Sequence, residues 1–168
     1  EYAEAKGFMA EVAPQATAQA EAAAQAAASA TAEAEARQAA LAEYGQKVAA
    51  SSRRYADALG AFSQLATEAG QRPALILDDV WRTKAAAALA FMMNAADEMA
   101  AIQPVPPEMA RVSDLLKQIA AETRLLTQDF GHGVDNLDAQ RMQSARTRLE
   151  RIGALATQAT AEVQKVTR

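Results

Sequence analysis

Apolar side chains recur at spacings of three and four along most of this chain, the period of a helix with one buried face. Three sets of breakers divide the pattern: Gly70-Gln71-Arg72-Pro73, Gln103-Pro104-Val105-Pro106-Pro107 and Gly131-His132-Gly133-Val134-Asp135-Asn136. Proline cannot continue a helix and restricts the residue before it, so the second set is the strongest boundary. The intervals predict four helices, over about 41–69, 74–102, 107–130 and 136–167.

Each interval carries its own seam. The first reads Leu41, Tyr44, Val48, Ser51, Tyr55, Ala58, Phe62, Leu65. The second reads Leu77, Trp81, Ala85, Ala88, Met92, Ala95, Met99, Ile102. The third reads Met109, Val112, Leu116, Ile119, Thr123, Leu126, Phe130, and the fourth Met142, Ala145, Leu149, Ile152, Ala156, Ala159, Val163, Val166. Pro106 and Pro107 suit a helix start, where a missing N–H costs nothing, and Glu108 favours the positive end of the helix dipole. Asp135 or Asp138 can serve as N-cap of the last helix. Short connections make sequential helices antiparallel neighbours. The fold class expected is therefore all-α, an up-down-up-down four-helix bundle over residues 41–168.

Residues 1–40 differ. From Ala13 to Ala40 more than half the residues are alanine, and none has a large apolar side chain. The upstream seam is Ala13, Ala16, Ala20, Ala23, Ala27, Ala30, Ala34, broken by Arg37. Alanine has the best intrinsic helix propensity, yet a lone helix of this kind is marginal in water. No Pro or Gly separates Pro14 from Gly45. The segment therefore reads as an Ala-rich helical arm, either continuous with the first bundle helix or broken near Gly45. Three uses stay open: pairing with a second copy through the alanine seam, lying along the bundle after a break, or a solvated spacer. Tyr2, Phe8, Met9 and Val12 form an apolar patch at its far end and are read as partner contacts.

Composition supports helix over sheet, since aromatics are 5% and the β-branched Val and Ile are sparse. The net charge of −4 resides in residues 1–50. No basic run is present, which argues against nucleic acid. No stretch is long and apolar enough to span a membrane. Absence of cysteine excludes disulfides and thiolate sites. The chain begins with Glu1, from which removal of an upstream signal, anchor or other segment is expected.

Catalytic and cofactor chemistry finds little support. His132 is the one histidine, expected in a glycine-flanked loop, and cannot supply the paired Glu-x-x-His sets of a di-metal bundle. Neither a nucleophile elbow nor a phosphate loop occurs. The expectation is no catalytic residue, no metal and no cofactor. Asp78 and Asp79 read as compensating a helix dipole. Trp81, Met92 and Met99 lie on the second seam and read as core, with a ligand groove as the alternative. Arg141, Arg148 and Arg151 cluster on one side of the last helix and read as a solvated face or as contacts for an acidic partner.

Trp81 early in an Ala-rich helix, Pro104-Val105-Pro106-Pro107-Glu108, the paired Leu115-Leu116, Gly133-Val134-Asp135-Asn136-Leu137-Asp138 and an Ala- and Arg-rich closing helix follow one another in order. In this the last hundred residues resemble uncharacterised helical domains of bacterial secreted or lipoprotein-like cell-envelope proteins. The resemblance implies an extracytoplasmic location and no activity. Such domains often carry a histidine near the start of the third helix; Ser113 stands there, so no histidine role carries over. The expected function is a non-enzymatic structural, assembly or binding protein of the envelope. Its partner would be a second copy or another envelope protein. The alternative is a small-ligand or sensor module with a site inside the bundle.

Overall fold

The computed structural model describes the backbone of residues 2–166 and the side chains of residues 18–166. Four α-helices follow one another: α1 (Tyr2–Gln71), α2 (Asp79–Ala100), α3 (Ala110–Asn136) and α4 (Ala139–Val166). Two 3₁₀ turns, Pro73–Leu77 and Pro107–Met109, precede α2 and α3. The chain divides into two compact units, Glu1–Ala40 and Leu41–Arg168.

In the first unit the described residues, 18–40, are helical and exposed throughout. Alanine explains the helix, because its side chain loses no rotamer entropy there. It also explains the exposure, because a methyl group offers little apolar area to bury. α1 continues through Gly45 without a break. Nothing lies within 4 Å of a Cβ built at that glycine. Tyr2, Phe8, Met9 and Val12, like Ala13 and Ala16, fall outside the residues whose side chains are described.

In the second unit four helices pack with contacts between consecutive helices. Between α1 and α2, Arg54 pairs with Glu98 at 2.8 Å and Trp81 Nε1 donates to the Leu65 carbonyl at 3.2 Å. Between α2 and α3, Arg124 pairs with Asp97 at 2.7 Å, and Arg82 pairs with Asp135. Residue numbers rise in one helix as they fall in the next, so these neighbours are antiparallel. α1 and α3 run in the same direction: Tyr55 meets Thr123, and Phe62 meets Phe130 edge-on at 5.0 Å. Trp81, Met92, Leu115, Leu126 and Ile152 complete the centre of the core.

The third seam is buried at all seven of its positions. The second is buried from Trp81 to Ile102, but Leu77 is 65% exposed. The reason is local. Pro73–Leu77 forms a 3₁₀ turn, and α2 starts only after Asp78, whose side chain accepts the Trp81 N–H at 2.8 Å. An N-cap has extended backbone and lies outside the helix, so the helix expected from residue 74 begins at Asp79.

The expected end of the third helix is also corrected. α3 runs through Gly131-His132-Gly133 to Asn136, which places His132 on an exposed helical turn and not in a loop. Glycine in a helix interior costs about 1 kcal/mol relative to alanine, but Phe130, Gly133 and Val134 are buried. A Cβ at Gly133 would lie 2.8 Å from Met142 Sδ and 3.1 Å from the Met142 backbone nitrogen. Glycine there permits the close approach of α4. The turn itself is Leu137, in left-handed conformation at φ 53°, followed by Asp138. Of the two expected caps, Asp138 is the one that caps α4, accepting from Gln140 N–H at 2.9 Å and Arg141 N–H at 3.1 Å. In α4 the buried face centres on Ile152, Leu155 and Ala159, while the expected Ala156 is exposed. A straight helix of 3.6 residues per turn drifts about 20° per heptad from a strict 3/4 seam.

Candidate functional site

A solvent-open apolar groove of about 320 Å³ lies on the bundle. One wall is α1, with Tyr44, Gly45, Val48, Ala49, Ser52, Tyr55, Ala56 and Leu59. The facing wall is α4, with Ala156, Ala159, Thr160 and Val163. Met99, Met109, Val112, Leu116 and Ile119 form the floor. The groove exists because both walls carry small residues where they face each other. Gly45, Ala49 and Ala56 of α1 and Ala156, Ala159 and Thr160 of α4 line it, and side chains of that size leave interhelical space open.

No lining residue carries a charge. The Tyr55 and Thr160 hydroxyls on the lining are hydrogen-bonded within the protein. Thr123 Oγ1 donates its one hydrogen to the Ile119 carbonyl at 2.8 Å. The 2.8 Å contact between Tyr55 and Thr123 is therefore donated by the phenol. Ser113 lies beside the Tyr44 phenol. Thr160 donates to the Ala156 carbonyl at 3.0 Å, and Ser52 contacts Met99 Sδ at 3.5 Å. Burial raises both phenols above the usual tyrosine range, against the smaller opposing effect of the Ser113 and Thr123 hydroxyls. Both rings thus remain neutral near pH 7 and act as apolar walls.

On another part of the bundle, α3 and α4 share an ion-pair network. Asp129, 4% exposed, accepts from Arg148 Nε at 2.6 Å and Arg141 Nη1 at 2.7 Å. Glu122, 8% exposed, accepts from Arg148 Nη1 at 3.1 Å and forms an ion pair with Arg151 Nη1 at 3.1 Å. The hydrogen bonds from Arg148 and then Arg141 hold the Asp129 carboxyl below its ordinary range. The same contact with Asp129 raises the Arg148 guanidinium above its usual value.

The sequence placed Arg141, Arg148 and Arg151 together on α4, and the structure supplies them with carboxylates of their own chain. Asp129 and Glu122 were not anticipated. Their signal was available: they stand seven residues apart beside the α3 seam, matching the seven between Arg141 and Arg148. The three suggested groove residues, by contrast, are not brought together. Met99 lines the apolar groove. Met92 is fully buried in the core. Trp81, 4% exposed, borders a more open cleft of about 560 Å³ between α2 and α3, beside Phe130, Arg82 and Asp135. The residues that shape the groove, Tyr44, Tyr55, Ala156 and Ala159, were read only as seam positions.

Among the described residues, no group of three or more His, Cys, Asp or Glu side chains is placed to hold a metal ion. Nor is any helix there long and apolar enough to cross a membrane. Neither a protein-family model, nor a curated protein, nor a solved structure matches this chain.

Proposed function

We propose that this is a non-enzymatic, extracytoplasmic structural or assembly protein, an up-down-up-down four-helix bundle with an Ala-rich N-terminal helical segment that self-associates. The observation that carries the reading is the exposure of every described residue from 18 to 40 in a continuous helix lacking large apolar side chains. Such a helix gains stability when a second copy lets the backbones approach closely along the alanine positions. The extracytoplasmic location follows from the resemblance to cell-envelope domains. Light scattering coupled to size-exclusion chromatography tests the assembly role. The full chain is expected to be oligomeric and residues 41–168 monomeric; two monomers refute self-association through the segment.

A second reading is favoured by the groove. Its volume falls at the lower end of the range of small-molecule sites, about 300–1,000 Å³, and its lining is mostly apolar, as in such sites. In this reading the bundle is a small-ligand or sensor module. A thermal-shift screen of apolar compounds tests it, and a screen with no saturable stabilisation counts against it.

A further inference from the structure

We infer that the bundle portion of α1, residues 41–71, is a hinged strap. It opens as one unit about the connection from Gly70 to Leu77 while α2, α3 and α4 stay packed. Opening uncovers the α2–α3 face that carries Trp81 and Phe130.

The first support is how near the helices come. Cα atoms of α3 lie within 8 Å of those of α2 and of α4 along both interfaces, whereas among the described residues α1 comes that near to another element at no more than isolated points. Packed helix axes are commonly about 8–10 Å apart, so α1 is the wide-set member of the bundle. Side chains span its gap: Tyr55 reaches Thr123, Phe62 meets Phe130, Trp81 reaches the Leu65 carbonyl, and Arg54 pairs with Glu98. Toward α4 lies the solvent-open groove. Elements with few close contacts open at lower free energy than the core.

The second support is that α4, the other lightly buried helix, is held differently. Gly133 admits Met142, and Asp129 and Glu122 bind Arg141, Arg148 and Arg151 of α4. Separating these charges is costly because both carboxylates are buried. The Arg54–Glu98 pair of α1 is more than half exposed on both sides, and such pairs hold little. The third support is the connection itself. Pro73–Leu77 contains no fully buried residue, and nothing lies within 4 Å of a Cβ built at Gly70. Such a segment absorbs dihedral change without breaking the core, as hinges do.

Hydrogen exchange of the full chain at low urea, read by mass spectrometry, tests the strap. Amides of residues 44–66 are expected to exchange at least about tenfold faster than those of residues 115–130, with a weaker dependence on urea. Trp81 is the one tryptophan and reports the same event. Its quenching by acrylamide is expected to rise before helical circular dichroism is lost. Asp129→Asn separates partial from global opening, because the α3–α4 network persists when α1 alone opens. It is expected to speed exchange in residues 115–130 and 142–155 about tenfold or more and to leave residues 44–66 within about twofold. Gly133→Ala, which strains the same interface, is expected to act in the same direction. Equal rates and equal urea dependence in α1 and α3 overturn the strap, as does acceleration of all three regions together by both variants. Fastest exchange in residues 142–155 overturns it in favour of α4, and Trp81 quenching that rises only with the loss of circular dichroism overturns the uncovering of Trp81.

Discussion

Residues 18–40 and residues 41–166 reach the same backbone conformation for different reasons. In the first region nothing is buried, and helix propensity alone sets the structure. In the second, Tyr44, Tyr55 and Phe62 are buried from α1 against the other helices. The two regions share α1, so the contrast isolates the side chains. A helical backbone needs only residues that do not oppose it; a fixed tertiary position needs side chains large enough to bury area.

The comparison can be broken hardest at Phe62, which is 2% exposed and packs edge-on against Phe130. Phe62→Ala is expected to destabilise the bundle by about 3–5 kcal/mol. Urea denaturation followed by circular dichroism should show a large fall in midpoint.

Next is Asp129. Asp129→Asn removes the charge that Arg141 and Arg148 share, at an expected cost of about 2–3 kcal/mol. The sign of the pH effect follows from its depressed folded pKa. Its contribution is complete above the unfolded carboxylate value, about 3.9, and is lost as pH falls through the lower folded value. Acid titration of thermal stability should therefore be less steep in Asp129→Asn than in the parent.

Glycines give a smaller, signed test. Gly133→Ala places a Cβ against Met142 and is expected to cost about 1–2 kcal/mol. Gly131→Ala, with nothing within 4 Å, is expected to stabilise by up to about 1 kcal/mol. Opposite shifts in melting temperature two residues apart would confirm that α3 is helical through both and that only one touches α4. Leu137→Gly, in the left-handed turn, is expected to add a similar stabilisation of about 1 kcal/mol.

The smallest effect is expected in the first region. Ala27→Gly should lower helical signal locally and leave the melting temperature of the bundle unchanged. A shift of several degrees would mean that residues 18–40 contribute to the same cooperative unit.

Much of the fold was legible because burial follows the 3.6-residue period. The third seam, from Met109 to Phe130, is buried without exception. Glycine misled at Gly131-His132-Gly133, since propensity marks a break there while tertiary packing favours continuation. Proline misled by a few residues at Pro73, where a 3₁₀ turn and the Asp78 cap come before the helix. The site was less legible than the fold. Tyr44 and Ala156 are more than a hundred residues apart, and nothing local marks them as facing walls.

The sequence by itself determined the all-α class, the four helical intervals, the alanine-rich helical character of residues 18–40 and the clustering of three arginines on α4. These depend on propensity, period and composition, which are properties of neighbouring residues. Only the tertiary structure decided that Asp129 and Glu122 receive those arginines, that Gly133 admits Met142, and that small residues of α1 and α4 face each other across a groove. Those outcomes depend on which faces meet across the bundle, and contact between distant segments is set by the packing of the whole core.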